Sequence, residues 1–308
     1  MGWQEIDGTD SSAIGGKRMR PTLAMLAAEA VGGDLERATP IAVALEYVHN
    51  FSLIHDDLED MDRMRHHRPT VWAVWGKPAA IISGNAMLKI ADQAVWKLRS
   101  IGVEDSIALE AEAELTQQYL KMMEGQYLDI SFETEKSVSV LQYLDMIERK
   151  TGALIEASIY LGGLVGPRTG PDRQKAIALK AIGHELGRIF QIRDDVLGIW
   201  GGKETGKPVG ADIKRKKKAL PAIHALNMAR GASASRIGDI FQTQDDLNEK
   251  EIHEVLEIME SLKTQDYCQS IAAERWMDCK QMIKSLNLSG QTAKEFTELG
   301  EFLLVRES

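Results

Sequence analysis

The residues that could do chemistry in this chain are concentrated in two short acidic segments. The first reads His55-Asp56-Asp57-Leu58-Glu59-Asp60-Met61-Asp62 and follows the apolar run Phe51, Leu53, Ile54. On a helix of about 3.6 residues per turn, Asp56 and Asp60 lie about 40° apart and one turn along, so both carboxylates leave the same face. Like charges at that spacing cost an isolated helix roughly 0.2 to 0.5 kcal/mol per pair, and something must offset the repulsion. A solvated acidic face or a helix N-terminus is the plain reading. The apolar approach instead places the segment deep in a helix, which favours a hard divalent cation with carboxylate oxygen ligands. Mg²⁺ is the natural candidate because it shares its shell with substrate phosphates. The second segment, Gln191-Ile192-Arg193-Asp194-Asp195-Val196-Leu197, repeats the pattern. One Asp-Asp pair is weak evidence. Two of them, each preceded by Ile and a polar residue, suggest two helices facing a shared metal-filled cavity.

Basic residues accompany these carboxylates. Gly15-Gly16-Lys17-Arg18-Met19-Arg20-Pro21 is a glycine pair followed by cations at a helix start, where backbone N–H groups and side chains can both meet an anion. Lys150-Thr151, Lys207 and the run Lys214 to Lys218 add positive charge. Such a run is most simply a solvated patch, but a Gly-rich loop separates it from Asp194-Asp195, which favours phosphate use for part of it.

The elements that must position these groups read as helices from end to end. Apolar residues recur at three- and four-residue spacing through 22–31, 37–62, 78–99, 105–132, 138–164, 172–200, 218–229, 247–262, 266–285 and 291–305. Breaks fall at Gly32-Gly33, Gly76-Lys77-Pro78, Gly166 to Pro171, Gly201 to Gly210 and Asn287 to Gly290. Strand signals are sparse and no low-complexity linker divides the chain, so a single all-α domain over 1–308 is expected. Its 308 residues are 44% hydrophobic, enough to bury a real core, which excludes a disordered chain. A net charge of −9 argues against a nucleic-acid binder, since phosphate recognition at large needs a positive face. Cys268 and Cys279 form neither a disulfide framework nor a zinc pattern, which points to a reduced, cytoplasmic setting. No signal peptide or transmembrane run is recognisable.

Taken together and in order, these motifs resemble the trans-isoprenyl diphosphate synthases, the polyprenyl synthetase family that includes farnesyl and geranylgeranyl diphosphate synthases. The resemblance runs from Gly15 to about Pro221: Gly-Gly-Lys-x-x-Arg-Pro, the first Asp-rich segment, Arg68-Pro69-Thr70, Gly125-Gln126, Lys150-Thr151, the second Asp-rich segment, and Gly206-Lys207 leading to Asp212, Lys217 and Leu220-Pro221. It implies a helical bundle of the isoprenoid synthase type with a central cavity, in a homodimer. It also implies Mg²⁺-dependent condensation of an allylic prenyl diphosphate with isopentenyl diphosphate. By the same resemblance, Asp56 and Asp60 ligate two Mg²⁺ ions and Asp194 a third, with Asp57 and Asp195 in support. Arg65, Lys150 and Lys207 clamp the allylic diphosphate, with Lys217 facing the same cage. Lys17, Arg20 and His49 grip isopentenyl diphosphate. Thr151, Gln126 and Gln191 lie near the reacting carbon and the metal shell.

The chain departs from the family pattern at four places. Gly198 stands where the second motif usually ends in aspartate, His66 replaces an arginine that grips isopentenyl diphosphate, and Asn85 replaces the aspartate of a Gly-Asp pair. Sixteen residues precede Lys17, which leaves the family's first helix shortened or absent. A neutral imidazole at position 66 offers less charge than arginine and no bidentate fork. Two rivals therefore stay open: a class I terpene cyclase, which ionises an allylic diphosphate without isopentenyl diphosphate, and a non-catalytic subunit of a heteromeric prenyltransferase. Lys17, Arg20 and His49 argue against the first, and the retained aspartates against the second. In this family the cavity floor lies just upstream of Asp56. Phe51 there, beside the small Ser52, implies C15 to C20 products.

Overall fold

In the computed structural model the described residues are 18–65, 68–168, 172–202, 208–243 and 245–306. Their regular structure is helical apart from one short antiparallel ladder, in which Met64–Arg65 (β1) pairs with Arg68–Pro69 (β2). The helices are α1 (Met19–Ala30), α2 (Leu35–Glu59), α3 (Val71–Trp75), α4 (Lys77–Ser100), α5 (Asp105–Thr134), α6 (Val140–Ile147), α7 (Ala153–Val165) and α8 (Arg173–Trp200). They continue with α9 (Ala211–Lys214), α10 (Leu220–Met228), α11 (Gly231–Gln242), α12 (Glu249–Ser261), α13 (Thr264–Ser285) and α14 (Gly290–Val305).

These helices form two compact units, one drawn from Met1–Tyr119 and Ala157–Leu179, the other from Leu120–Glu156 and Lys180–Ser308. The boundaries fall inside α5, α7 and α8. In the first unit α2 packs along α4, and α1 lays the buried stripe Leu23, Ala24, Ala27 and Ala28 against its neighbours. Small residues let backbones approach closely: a methyl at Gly162 would sit 2.8 Å from the Ala24 carbonyl carbon. Asp34 starts α2 by accepting the Glu36 N–H, and Arg168 pairs with the same carboxylate.

In the second unit one apolar cluster gathers Tyr143, Ile147, Ile192, Val196, Leu220 and Ile223, and another gathers Ile199, Ile213, Ile237, Ile240, Val255 and Met259. Val196 and Ile199 are nearly one turn apart on α8, so this helix belongs to both clusters and its polar residues are fixed by packing on either side. Ser139 starts α6 with a capping box to Gln142, and Asn248 does the same for α12 with Glu251.

The expected helices are present; apart from the β1–β2 ladder and the short α3 and α9, which the sequence pattern does not mark, three differences stand out. The stretch 138–164 is interrupted by a π-helical turn at Glu148–Gly152. The first acidic segment does not lie deep within its helix, because α2 stops at Glu59 and Asp60 is its C-cap. α11 has no counterpart in the reading of the sequence. Its opening Gly231-Ala-Ser-Ala-Ser is weakly helix-forming, and the helix is held by Ile237 and Ile240 buried in the second cluster.

Candidate active site

In the first unit, the end of α2 carries Asp56 and Asp57 in its last turn, with Asp60 closing the helix through its N–H to the Asp56 carbonyl at 2.9 Å. Carboxylates at a helix C-terminus face the negative end of the macrodipole, so their mutual repulsion is compounded. The hairpin supplies the compensation. Its first strand returns Arg65 to the helix end, where the guanidinium donates to Asp57 Oδ1 at 2.6 Å and to Asp56 Oδ2 at 2.9 Å. The turn leading there is braced by Thr70 Oγ1 and the Trp72 indole N–H, both donating to the Asp62 carbonyl at 2.8 Å. Asp57 is buried, and that burial raises its pKa against the opposing pull of Arg65. Asp56 is more open and Asp60 is exposed. The i, i+4 pair is thus the part of the motif that can reach a ligand, and Asp57 is its buried support.

One and two turns earlier on α2, Phe51 is buried and meets the His55 ring edge-on with centroids 4.8 Å apart. His49 and Glu46 face Arg20 of α1. Among the described residues, Arg20 Nε, Glu46 Oε2 and His49 Nδ1 are buried without a hydrogen-bond partner. Desolvation lowers the Arg20 pKa to about 10 despite Glu46. Burial, then Arg20 and Arg65, hold His49 well below the usual imidazole value. This is a desolvated pocket with hydrogen-bonding capacity to spare: the Arg20 guanidinium and a neutral His49 imidazole can donate to an anion, while Glu46 adds an acceptor.

In the second unit, the π-helical turn places Lys150 and Thr151. The turn lies between two glycine approaches. A methyl at Gly125 of α5 would fall 2.6 Å from the Lys150 Cα, and one at Gly187 of α8 would fall 2.7 Å from the Gly152 Cα. Lys150 Nζ donates to Asp129 Oδ2 at 2.5 Å, and Gln126, a turn earlier on α5, is half-buried. Thr151 Oγ1 donates to Gln191 Oε1 at 2.6 Å, and Gln191 Nε2 donates to Asp195 Oδ1 at 3.0 Å.

Asp195 is 1% exposed and is the hub of this chain of hydrogen bonds. Its other oxygen accepts the Tyr143 hydroxyl and, at 3.1 Å, the Leu220 N–H that opens α10. Burial pushes its carboxyl up; Lys217, Tyr143, Gln191 and the Leu220 N–H pull back, and the balance stands at about 6. Asp194, its neighbour, is 49% exposed, and the buried Arg306 guanidinium donates to its Oδ1 at 3.1 Å while stacking over the Phe190 ring.

The basic run is divided in its roles. Lys216 Nζ donates to the Thr243 and Asp245 carbonyls at 3.0 and 2.6 Å, and Lys218 Nζ donates to the Phe132 carbonyl at 2.7 Å and the Glu133 carbonyl at 3.3 Å. Lys217 alone of these three is set in the field of several carboxylates. The residue is exposed overall, yet protein atoms crowd its ammonium and by themselves would lower its pKa. Asp212, Asp195, Asp129 and Asp194 outweigh them and hold it well above the ordinary lysine value.

The structure therefore groups Arg20, His49, Phe51, Asp56, Asp57, Asp60 and Arg65 in the first unit and Gln126, Lys150, Thr151, Gln191, Asp194, Asp195 and Lys217 in the second. Lys17, His66 and Lys207 lie outside the described residues. Asp212 figures in the sequence only as part of the motif after Lys207, and three further participants escape the sequence reading: Asp129, Tyr143 and Arg306. Each is a single residue of common type, and only the fold brings it to the acidic segment. Among the described residues no three His, Cys, Asp or Glu side chains converge as a ready-made metal cage. The donor set of open aspartates suits a hard cation that completes its shell with phosphate oxygens.

Residues 8–259 match the polyprenyl synthetase family profile. The chain belongs to the polyprenyl synthetase family. By that membership it is an isoprenyl diphosphate synthase, a trans-prenyltransferase of all-α fold. The whole chain is 37% identical over 314 aligned positions to the (2E,6E)-farnesyl diphosphate synthase of Mycobacterium bovis, covering 84% of that protein. A geranylgeranyl diphosphate synthase of Mycobacterium tuberculosis is 40% identical over 79% of the chain and 67% of its own length. In structure, a polyprenyl synthetase from Streptomyces coelicolor superposes on 99% of this synthase and 89% of its own chain, with a TM-score of 0.90 at 35% identity. Members of the family are in general Mg²⁺-dependent, and among the described residues no helix is long and apolar enough to cross a membrane.

Proposed function

We propose that this synthase joins an allylic prenyl diphosphate to isopentenyl diphosphate head-to-tail, giving an all-trans C15 to C20 prenyl diphosphate. The observation that carries the reading is the pocket of Arg20 and His49, desolvated and short of partners, beside but distinct from the aspartates of α2. One diphosphate is handled through carboxylates, the other through the buried Arg20 guanidinium and the neutral His49 imidazole. A cyclase needs only the first.

In this reading Asp56, Asp60 and Asp194 hold Mg²⁺, three ions with substrate bound. When bound, Mg²⁺ neutralises the diphosphate oxygens that take up charge as the allylic C–O bond breaks. Arg65, Lys150, Lys207 and Lys217 hold the departing diphosphate and share that charge. Arg20 and His49, with Lys17 and His66, fix the second diphosphate so that the isopentenyl double bond faces the cationic carbon. Gln126, Thr151 and Gln191 present polar atoms to the reacting end, ordered by the buried Asp195. As the new C–C bond forms, the tertiary cation loses a proton to the released diphosphate, which leaves a trans double bond. The apolar wall that begins at Phe51 keeps water away from the cation and limits chain length.

The two units work as one isoprenoid synthase domain in this proposal. A homodimer is supported by the apolar side chains that α4 leaves exposed, Ile81, Ile82, Ile90 and Trp96, with Leu109 of α5. A cytoplasmic setting is supported by the unpaired, buried Cys268 and Cys279. The deciding experiment incubates the enzyme with Mg²⁺ and farnesyl diphosphate, with and without labelled isopentenyl diphosphate. Label in a longer diphosphate, lost on chelation of the metal, is expected. Hydrocarbon or alcohol formed without isopentenyl diphosphate would overturn the proposal.

A further inference from the structure

The π-helical turn that carries Lys150 and Thr151 lies between α5 and α8, and these two side chains reach opposite neighbours. Lys150 donates to Asp129 of α5 at 2.5 Å, whereas Thr151 donates to Gln191 of α8 at 2.6 Å. A shift of the turn toward either helix withdraws it from the other. Gly125 and Gly187 permit the close approach of the two helices, at the Lys150 and Gly152 backbones. A missing side chain permits an approach but supplies no attraction, so the turn needs a tie to hold it in the gap.

Glu148, the first residue of the turn, bridges the same two helices. Its Oε1 accepts from the Lys121 ammonium of α5 at 3.2 Å, and its Oε2 accepts from the Arg188 guanidinium of α8 at 2.8 Å, with His184 Nε2 3.7 Å from the same oxygen. Lys121 lies one turn before Gly125 and Arg188 follows Gly187, so each cation stands beside a point of close approach. The α8 partners are themselves restrained. Arg188 Nη1 lies 3.5 Å from Glu185 Oε1, Arg275 of α13 lies 3.9 Å from the other Glu185 oxygen, and His184 Nδ1 lies 3.2 Å from Glu156 Oε2. The Glu148 side chain is 21% exposed and those of Lys121 and Arg188 are 27% and 24%, so these pairs are shielded in a way that surface pairs are not. Arg149, next in the turn, makes the contrast: its pair with Glu124 of α5 joins side chains 36% and 62% exposed.

We propose that Glu148 is a positioning residue of the reaction: by bridging Lys121 and Arg188 it seats the π-helical turn between α5 and α8 and so sets where the Lys150 ammonium and the Thr151 hydroxyl stand. It acts through these two side chains. The proposal rests on the reading of Lys150 and Thr151 as residues of the allylic site. The pocket of Arg20 and His49, which belongs to the first unit, owes nothing to this bridge.

Steady-state kinetics with each substrate varied in turn, on enzyme checked for folding by circular dichroism, tests it. Glu148→Gln keeps the size of the side chain and removes its charge. It should lower kcat/KM for the allylic diphosphate about tenfold, the kinetic equivalent of one charge-assisted hydrogen bond, while KM for isopentenyl diphosphate stays as in the wild type. Arg188→Gln should give a similar loss, and the double variant should lose little more than either, since both changes break the same bridge. The Glu148→Gln loss should shrink in a Lys150→Met background. Glu124→Gln, which removes the exposed pair of Arg149, should leave the kinetics unchanged. If Glu148→Gln does not fold, Arg188→Gln decides by the same criteria. Wild-type kinetics in folded Glu148→Gln, even with a lowered melting temperature, would overturn the proposal. So would an equal rise in both KM values, a loss undiminished in the Lys150→Met background, or an equal loss in Glu124→Gln. Lys150→Met by itself is the reference: if it leaves turnover intact, the reading of Lys150 fails instead, whatever the Glu148 variants do.

Discussion

Removing the Tyr143 hydroxyl tests whether Asp195 is a charged hub or a passive core residue. Tyr143 is 1% exposed and donates to Asp195 Oδ2, an acceptor shared with the Leu220 N–H. The folded carboxyl titrates at about 6, above its ordinary value of 3.8, so the native state binds the proton more tightly than the unfolded chain. Stability associated with this group is therefore greatest at low pH and falls as pH rises from about 4 to about 6, where the acid ionises. At pH 7 Asp195 is an anion and the tyrosine bond is charge-assisted, worth roughly 1.5 to 3 kcal/mol. At pH 5 it is mostly neutral and the bond is worth about 0.5 to 1.5 kcal/mol. Tyr143→Phe keeps the ring and its packing, so the expected destabilisation is about 2 kcal/mol at pH 7 and about half that at pH 5. Urea denaturation of both proteins at the two pH values, followed by circular dichroism, measures it. A loss equal at both pH values, or larger at pH 5, would refute the charged hub. If Asp195→Asn also abolishes the difference between Tyr and Phe at position 143, the coupling is direct.

Arg65→Lys should reduce kcat/KM for the allylic diphosphate about tenfold or more, because an ammonium cannot span Asp56 and Asp57 with a planar fork; equal kinetics of the two enzymes would remove the fork from the account. Gly125→Ala should destabilise the enzyme by about 1 to 3 kcal/mol and lower turnover, since its methyl must displace the backbone of the turn that carries Lys150; an unchanged melting temperature would show that the turn yields freely. Phe51→Ala should cost about 3 kcal/mol or more as a buried aromatic and shift the product to longer chains; an unchanged product distribution by chromatography would exclude Phe51 from the floor.

The acidic segments, the helical class and most helix boundaries are legible in the sequence because they rest on local regularities. Residues three and four apart share a helical face whatever surrounds them, and two aspartates a turn apart repel in any helix. The same locality explains what could not be read. The periodicity on either side of residues 148–152 is ordinary, and the π turn lies where Gly125 and Gly187 let two other helices close on it. Three lysines in succession are indistinguishable in one dimension. In the structure carbonyls from Phe132 and Thr243 take two of them, and the third, Lys217, is the one on which the aspartates act.

Gly198 shows the division most sharply. In the sequence it is a missing ligand, a departure that weakens the second motif. In the structure it is a space filled by Asp212, brought from fourteen residues away by the packing of Ile213 and the turn at Gly210. Sequence by itself determined which chemical groups are present and which share a helical face, because both follow from covalent order and the pitch of the helix. Only the tertiary structure decided which carboxylate is buried, which is open and which cation each one meets, because burial and long-range approach depend on packing between helices distant in the chain.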